Sequence, residues 1–410
     1  MSTTFRSGND LPSSRLLARL AAVLLLAGCQ ERIAAPADCP NLCPGGYQIR
    51  EDTLVALQDR DSAFAGYLNA GQGSSLRVSW QFPVSDDRAV FKFARRTDSL
   101  FINGKFRGYT IDSLALEVTL SYRDTLAKGL KLFLYRLPVT VDSTATFADI
   151  DAAFTPASTV DSFVVDDSVV TRRLRVVFIG ADTTKLIIPP ADSGVLALGV
   201  QIRADQGTGV RIGGAGAGTG APSFISYVTA PSSDTSTVNR VVTPSLQFNT
   251  FLSQAPLTID PDLLTLGGVP SARALVRFPW SAKLRDSATL VRATLQLIPA
   301  GPVTGLGGDS AFVLVRPIIA DFGGKSPSVS DATFAAVVAV MPGTSDTVSF
   351  EVRRALTLWQ GTRPVPPALF LSLIPEASSF TRPTFGSTRT PGLVPRIIVT
   401  YALKFPFNEP

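Results

Sequence analysis

The stretch Ser113-Leu-Ala-Leu-Glu-Val-Thr-Leu-Ser-Tyr122 alternates apolar and polar side chains along its whole length. Successive side chains of a β-strand point to opposite faces of the sheet, so the apolar residues from Leu114 to Tyr122 fall on one face and Ser, Glu and Thr on the other. The pattern predicts a strand with one buried face and one solvated face. Similar short apolar runs recur along the chain between Gly, Pro, Ser, Thr and Asp residues, which is typical of an all-β protein.

The order of the predicted strands repeats in the two halves of the chain. The first half has predicted strands at 76–80, 113–122, 132–137, 174–179, 195–202 and 224–229, and the second half has counterparts at 274–278, 291–298, 312–318, 347–352, 368–374 and 395–401. Short strands at this spacing favour sandwiches. We therefore predict two tandem jelly-roll-like antiparallel β-sandwiches, over 47–229 and 245–403. The alternative is that two β-rich halves align by chance.

Smaller elements complete this prediction. Residues 230–244 form a polar linker, 404–410 form a short tail, and the first copy carries an insertion around 86–109 that we interpret as an extra hairpin. A short helix is predicted at 352–359, because its apolar residues repeat at helical spacing. Its last residue, Trp359, is expected in the core of the second sandwich.

The N-terminus has the layout of a secretory signal peptide over 1–28. Three arginines precede an apolar run at 20–26, which is too short to span a bilayer, since a spanning helix needs about 20 residues. The run ends in Leu26-Ala-Gly-Cys29, which resembles the lipobox of bacterial lipoproteins. The resemblance implies cleavage before Cys29 and acylation of Cys29, which anchors a chain to a membrane. An ordinary cleaved signal or a chance apolar run are the alternatives.

The segment after the cleavage site, 29–46, is rich in Pro, Ala and Gly and is interpreted as a tether. Cys39 and Cys43 are predicted to form a disulfide in the oxidising envelope, with free thiols or a metal site as alternatives. Gln30 is not the Asp that favours inner-membrane retention in many Gram-negative bacteria. The predicted location is therefore the cell envelope, with the chain anchored in the outer membrane.

The chain contains no histidine. This excludes Ser-His-Asp and Cys-His nucleophilic systems, histidine zinc sites and histidine general bases. The 38 Lys and Arg residues exceed the 33 Asp and Glu residues only slightly and form no basic cluster in the sequence, so no nucleic-acid partner is expected. We expect neither a cofactor nor an enzyme activity.

Two kinds of side chain are candidates for ligand contact. Trp280 and Tyr109 are aromatic residues that could stack on a sugar ring, with burial as the alternative. Asp260 and Asp262 are weak calcium candidates, since calcium binds about six to eight oxygens, with turn or capping roles as the alternative. The glycine-rich run 207–220 is interpreted as a loop between strands, because a strand and not a helix N-terminus follows it.

The string Val348-Ser-Phe-Glu-Val-Arg-Arg-Ala-Leu-Thr-Leu-Trp-Gln-Gly361 resembles the strand–helix segment of DNRLRE-type domains, which are jelly-roll sandwiches related to carbohydrate-binding modules. The segments 271–278, 287–297, 385–389 and 395–401 resemble other parts of that family in order. The closing loop departs at Thr388-Arg389, where the family usually has Arg-Glu. The resemblance covers 263–401, and 47–229 more weakly. It implies a binding or scaffolding role without a catalytic motif.

These patterns together predict a lipid-anchored cell-envelope protein with a non-catalytic binding or structural role at the cell surface. The expected partners are the membrane and either polysaccharide or other envelope proteins. Two alternatives stay open: a glycan-active enzyme that uses Asp and Glu carboxylates, and a lipid-anchored outer-membrane pore or assembly component.

Overall fold

The computed structural model describes residues 49–65, 73–82, 86–187, 194–233, 235–255, 257–322 and 329–403. The predicted signal peptide, the lipidation site Cys29, the tether with Cys39 and Cys43, and the tail all lie outside the described residues. Within the described part the chain forms antiparallel sheets arranged as two β-sandwiches, which confirms the predicted all-β fold.

The strands are numbered in chain order. The first fifteen are β1 (Ile49–Val55), β2 (Ser62–Ala65), β3 (Ser75–Trp80), β4 (Asp87–Phe93), β5 (Leu100–Ile102), β6 (Lys105–Arg107), β7 (Thr110–Arg123), β8 (Lys131–Leu137), β9 (Thr159–Val164), β10 (Arg172–Ile179), β11 (Leu196–Arg203), β12 (Thr208–Gly213), β13 (Ser223–Pro231), β14 (Thr237–Val242) and β15 (Leu246–Ser253). The next ten are β16 (Leu263–Thr265), β17 (Ala272–Arg277), β18 (Ala288–Leu297), β19 (Ala311–Ala320), β20 (Val329–Ser330), β21 (Ala336–Val340), β22 (Val348–Glu351), β23 (Ala368–Ile374), β24 (Thr384–Gly386) and β25 (Arg396–Leu403). The described residues also form two short α-helices, α1 (Phe147–Asp151) and α2 (Arg353–Trp359).

The second sandwich consists of two sheets around one core. One sheet has the order β1-β25-β18-β22, and the other has the order β2-β17-β23-β19, with β20 and β21 also paired to β19. Fully buried side chains from both sheets, such as Leu295 and Leu371, meet in the core. Helix α2 covers one end of this core, because Ala355, Leu356 and Trp359 lie on its buried side as the spacing predicts.

In the first sandwich the corresponding strands, β14-β13-β7-β10 and β15-β4-β11-β8-β9, belong to one curled sheet, because β12 and β3 connect β7 to β4. The long strand β7 buries Leu114, Leu116 and Leu120 in its core, as the alternation predicts. Among the described strands, β3 and β12 have no counterpart in the second sandwich. β12 pairs with the C-terminal end of β7 and with β3.

The two sandwiches share the jelly-roll strand order. Strands β7, β8, β10, β11 and β13 pair with one another as β18, β19, β22, β23 and β25 do, which matches the predicted repeat. One predicted equivalence is wrong. β17 corresponds to β4, which pairs with β11, and not to β3, which pairs with β12. The segment Asp87–Phe93 is therefore a core strand, and the insertion is reduced to the hairpin β5–β6.

The first two strands of each half lie in the sandwich of the other half. β1 pairs with β25 and β2 pairs with β17, so residues 49–65 complete the second sandwich. β14 pairs with β13 and β15 pairs with β4, so residues 237–253 complete the first sandwich. The chain therefore divides differently from the predicted ranges 47–229, 230–244 and 245–403. Backbone hydrogen bonds between strands that are distant in sequence determine this reciprocal exchange. The periodicity of the local sequence does not predict which strands pair.

A buried polar contact joins the two sandwiches. Asp309 of the second sandwich is fully buried, and its Oδ2 accepts hydrogen bonds from the backbone N–H groups of Phe380 and Thr381, at 2.6 and 2.9 Å. Ser379 Oγ donates to the same oxygen at 2.9 Å. Arg211 of β12 in the first sandwich places a guanidinium nitrogen 3.0 Å from Asp309 Oδ1. The Asp309 carboxylate thus contacts both a loop of its own sandwich and strand β12 of the first sandwich.

Apolar packing surrounds this contact. The ring of Phe380 lies against Tyr122 and Phe82 of the first sandwich, with both centroid distances at 6.0 Å. Gly209 of β12 allows this approach, because a Cβ atom there would lie 2.4 Å from the Phe380 ring. The hydroxyl of Tyr122 donates to the Gly307 carbonyl oxygen at 3.1 Å. Burial, followed by the nearby Asp309 carboxylate, raises the pKa of the Tyr122 phenol, which stays protonated as a donor.

Candidate functional site

The outer face of the β2-β17-β23-β19 sheet carries a cleft. Side chains alternate along β17, so Ala274 and Val276 enter the core while Arg273 and Arg277 lie on the outer face. The cleft has a volume of about 250 Å³. Its lining combines apolar and polar residues: Arg273, Leu314, Arg316, Ser330, Phe370, Ser372, Leu373, Ile374 and Glu376.

One wall of the cleft is an ion pair between Arg273 and Glu376. The two guanidinium nitrogens Nε and NH2 donate to the two carboxylate oxygens at 2.5 and 3.0 Å, which is a bidentate geometry. Both side chains are largely shielded, at 23% and 18% exposure. The hydrogen bond to Glu376 raises the pKa of the Arg273 guanidinium. The carboxylate of Glu376 is thereby committed to Arg273.

The floor beside this pair is apolar. Phe370 contacts Phe64 of β2 at a centroid distance of 6.4 Å and packs with Leu275 and Ile318 in a small buried cluster on the outer face. A second bidentate pair, between Arg277 and Asp321, borders this cluster, with N–O distances of 2.5 and 2.8 Å. The outer face is therefore an apolar floor bordered by fixed charges.

Arg316 differs from the other arginines of this face. Within the part of the chain that the structure describes, no carboxylate forms an ion pair with Arg316, and its Nε is buried without a hydrogen-bond partner. A guanidinium in that state still has donors to offer, and Ser330 and Ser372 add hydroxyl groups to the same lining. The cleft can therefore bind a ligand that supplies hydroxyl or anionic oxygen atoms over an apolar floor.

The predicted stacking residues do not line this cleft. Trp280 is partly buried and packs edge-on against Trp359, with ring centroids 5.3 Å apart, so most of its ring belongs to the core of the second sandwich. Tyr109 lies just after the β5–β6 hairpin of the first sandwich and donates its hydroxyl proton to the Thr97 carbonyl oxygen. The structure does not bring these two aromatic residues together.

The weak calcium candidates lie in a turn. Asp260 Oδ1 accepts a hydrogen bond from the Asp262 backbone N–H at 2.9 Å, which is the arrangement of an Asx turn. The cation beside Asp262 is Arg389, whose Nε lies 3.4 Å from Oδ1. Arg389 also pairs with the buried carboxylate of Asp61, at 3.1 Å. Among the described residues, no three acidic or thiol side chains form a group that could hold a metal ion.

The loop interpretation of 207–220 is wrong in part. Thr208–Gly213 is strand β12, and residues 215–220 form a short 3₁₀ turn before β13. The glycines serve close packing: a Cβ atom on Gly213 would lie 2.0 Å from the Gly220 carbonyl oxygen. The glycine-rich composition hid a strand, because glycine has low strand propensity.

The cleft residues were not among the site residues predicted from the sequence. The outward arginines of β17 alternate with apolar residues in Ala272-Arg-Ala-Leu-Val-Arg277, so the sequence could have placed Arg273 on a solvated face. Glu376 follows β23 in a loop and gave no such signal.

Scanned against models of known protein families, the chain matches none, and no curated protein matches it in sequence. No helix of the described residues is long and apolar enough to cross a bilayer.

Proposed function

We propose that this protein is a lipid-anchored, non-catalytic binding module of a bacterial cell envelope, and that its outer-face cleft binds polysaccharide. The observation that carries the proposal is the combination in one cleft of an apolar floor at Phe370, two serine hydroxyls and the Arg316 guanidinium, whose Nε has no hydrogen-bond partner among the described residues. Sugars offer hydroxyl groups at the ring edge and apolar C–H groups on the ring face, and this lining is complementary to both.

The same proposal includes the anchor and the family resemblance. The Leu-Ala-Gly-Cys29 string supports acylation, and Gln30 supports outer-membrane residence. The jelly-roll strand order agrees with what the DNRLRE resemblance implies about fold. The carboxylate of Glu376, which lines the cleft, is held by Arg273 in a bidentate pair. Glu376 is therefore not available as a free general base, which favours a binding role over a catalytic one for this cleft.

A glycan array with full-length protein in detergent tests the binding role. We expect binding to a defined set of neutral or acidic glycans. Arg316→Ala should weaken it about tenfold or more, because a hydrogen bond to a charged group is lost. Arg354→Ala, which removes an exposed guanidinium on helix α2, is the matched control and should bind as the wild type does. Equal loss in both variants, or no glycan bound at all, would reject the cleft as a sugar site.

The anchor is tested separately. Cys29→Ser should abolish incorporation of a fatty-acid analogue during growth, because the lipobox cysteine is the acyl acceptor that the resemblance implies. Undiminished labelling in the variant would contradict the lipoprotein assignment.

Mass spectrometry without reduction should find Cys39 and Cys43 joined. Two free thiols in envelope-derived protein would contradict the disulfide.

A further inference from the structure

The hairpin β5–β6 projects from the first sandwich as a separate two-stranded unit. Among the described strands, β5 and β6 pair only with each other, in the register Leu100↔Arg107, Phe101↔Phe106 and Ile102↔Lys105. The turn is Asn103-Gly104, with φ of 49° and 80°, as a tight two-residue hairpin turn requires. The hairpin is thus a defined element and not an irregular loop.

The two faces of the hairpin differ. Ile102 is buried against the sandwich, and Asn103 Nδ2 donates to the Ser232 carbonyl oxygen at 3.0 Å, which fixes the tip beside the β13–β14 turn. The opposite face carries Phe101 and Phe106, which are 66% and 76% exposed. Their rings contact each other, with centroids 5.2 Å apart. A fixed pair of exposed phenyl rings is unusual on a surface that faces only water.

The segment that contains the hairpin is rich in cations. The segment from 95 to 107 contains Arg95, Arg96, Lys105 and Arg107 and a single carboxylate, Asp98, so its formal charge is +3 in a chain whose total is +5. The sequence separates the two arginines from Lys105 by eight residues, and hairpin formation places them in one structural unit. Lys105 and Arg107 alternate with Phe106 and lie on the face opposite the two rings, and Arg95 pairs with Asp98. The hairpin therefore combines an exposed aromatic face with a net positive charge on the segment around it.

The hairpin lies at the end of the first sandwich that is remote from the second. Tyr122, near the C-terminal end of β7, contacts the second sandwich, whereas the hairpin immediately precedes the N-terminal end of the same strand. β7 has 14 residues, which corresponds to about 45 Å of extended chain. The same end of the sandwich exposes Ile179 and Val241, at 67% and 58%, in one row across the sheet. This end is therefore free to meet another surface.

We propose that the β5–β6 hairpin docks onto an anionic lipid bilayer, with Phe101 and Phe106 inserted at the level of the headgroups. Aromatic rings favour the boundary between headgroups and acyl chains, and Lys and Arg beside them are attracted by anionic lipids. The exposed phenyl pair supplies the first component, and the net positive charge of residues 95–107 supplies the second. The proposal depends neither on the cleft nor on acylation of Cys29. It adds a second membrane contact at the far end of the first sandwich.

Quenching by brominated lipid tests the insertion. Full-length Phe106→Trp protein is diluted from detergent into vesicles of phosphatidylcholine and phosphatidylglycerol, with or without brominated acyl chains. Phe106 is exposed, so the substitution leaves the fold intact. We expect bromine to quench the new tryptophan in anionic vesicles and much less in pure phosphatidylcholine. Phe312→Trp is the matched control, because Phe312 is 44% exposed on the second sandwich. It should show no added quenching.

Charge removal gives the second readout. Lys105→Gln in the Phe106→Trp background should reduce the inserted fraction about fivefold, which is the effect of one cation near an anionic surface. High salt should act in the same direction. Equal quenching at positions 106 and 312, or equal quenching in neutral and anionic vesicles, would overturn the proposal. Protection of position 106 by a protein cross-link in native envelopes, without quenching by brominated lipid, would also overturn it in favour of a protein partner.

Discussion

Replacing Asp309 by Ala is the sharpest test of how the two sandwiches are held together. The substitution removes the acceptor of two backbone N–H groups and one serine hydroxyl, and it leaves Arg211, which is only 15% exposed, without its counter-charge. Breaking a buried ion pair by removing one partner costs about 3–5 kcal/mol. The three donors act on the same carboxylate, and the Thr381 N–H also reaches Ser379 Oγ at 3.0 Å, so their losses are not added to this figure. We expect the free energy of unfolding to fall by about 3–5 kcal/mol.

Two further variants provide reference values for the expected loss of unfolding free energy. Asp309→Asn keeps the volume and one acceptor oxygen, and should cost less, about 1–3 kcal/mol, because neutral hydrogen bonds replace charged ones. Asp182→Ala removes an exposed carboxylate that pairs with exposed Lys185, and should change stability by less than about 1 kcal/mol. Equilibrium unfolding in urea, followed by tryptophan fluorescence and circular dichroism, measures all three.

The Asp309 contact should also affect the shape of the unfolding curve. Because Asp309 contacts both sandwiches and each sandwich contains strands from the other half, the midpoint of one shared transition should shift. An Asp309→Ala protein within about 0.5 kcal/mol of the wild type would refute the argument from burial. Two separate transitions, of which one moves, would refute the coupling while leaving the local contact intact.

Three further predictions concern other contacts. Trp359→Ala should lower the free energy of unfolding by about 3–5 kcal/mol in the same urea assay, because a 3% exposed indole leaves a cavity, and a change below about 1 kcal/mol would contradict its core position. Cysteines placed at Glu51 and Thr400, which face each other between β1 and β25, should cross-link on oxidation, as peptide mapping can show, and failure of the bond would contradict the strand exchange. The hydrogen bond from Tyr401 lowers the pKa of Asp52, so its contribution to holding β1 is complete above the ordinary Asp pKa of 3.8 and is lost as the pH falls through the lowered value. Amide exchange in β1 should accelerate over that acid range, and unchanged protection would contradict the role of this carboxylate.

The sequence predicted the strands whose environment is asymmetric. β7 alternates because one face meets the apolar core, whereas the other carries polar residues: Ser121 is exposed, and Glu117 is buried in ion pairs with arginines of β10. Helix α2 was predictable for the same reason, since Ala355, Leu356 and Trp359 share one face. By contrast β12, rich in glycine, has no such pattern, because its role is to let neighbouring backbones approach closely.

The strand exchange and the cleft could not be predicted in this way. Pairing of β1 with β25 depends on backbone hydrogen bonds, which every residue except proline can form, so no residue type marks the partner. In the cleft, Arg273 lies on a strand and could be assigned to the outer face, but Glu376 reaches it from a loop. Its position is set by tertiary structure alone.

The reciprocal strand exchange has a consequence for the order in which the protein can fold. Ile49 in β1 pairs with Ala402 in β25, so a chain made from its N-terminus produces one edge of the second sandwich first and the neighbouring strand almost last. Contacts of such long sequence separation form slowly. Until β25 is present, β1 is an unpaired strand edge, which is a site for aggregation unless something covers it. Chains shortened before residue 396 lack β25, so the exchange makes synthesis through β25 a condition for closing the second sandwich.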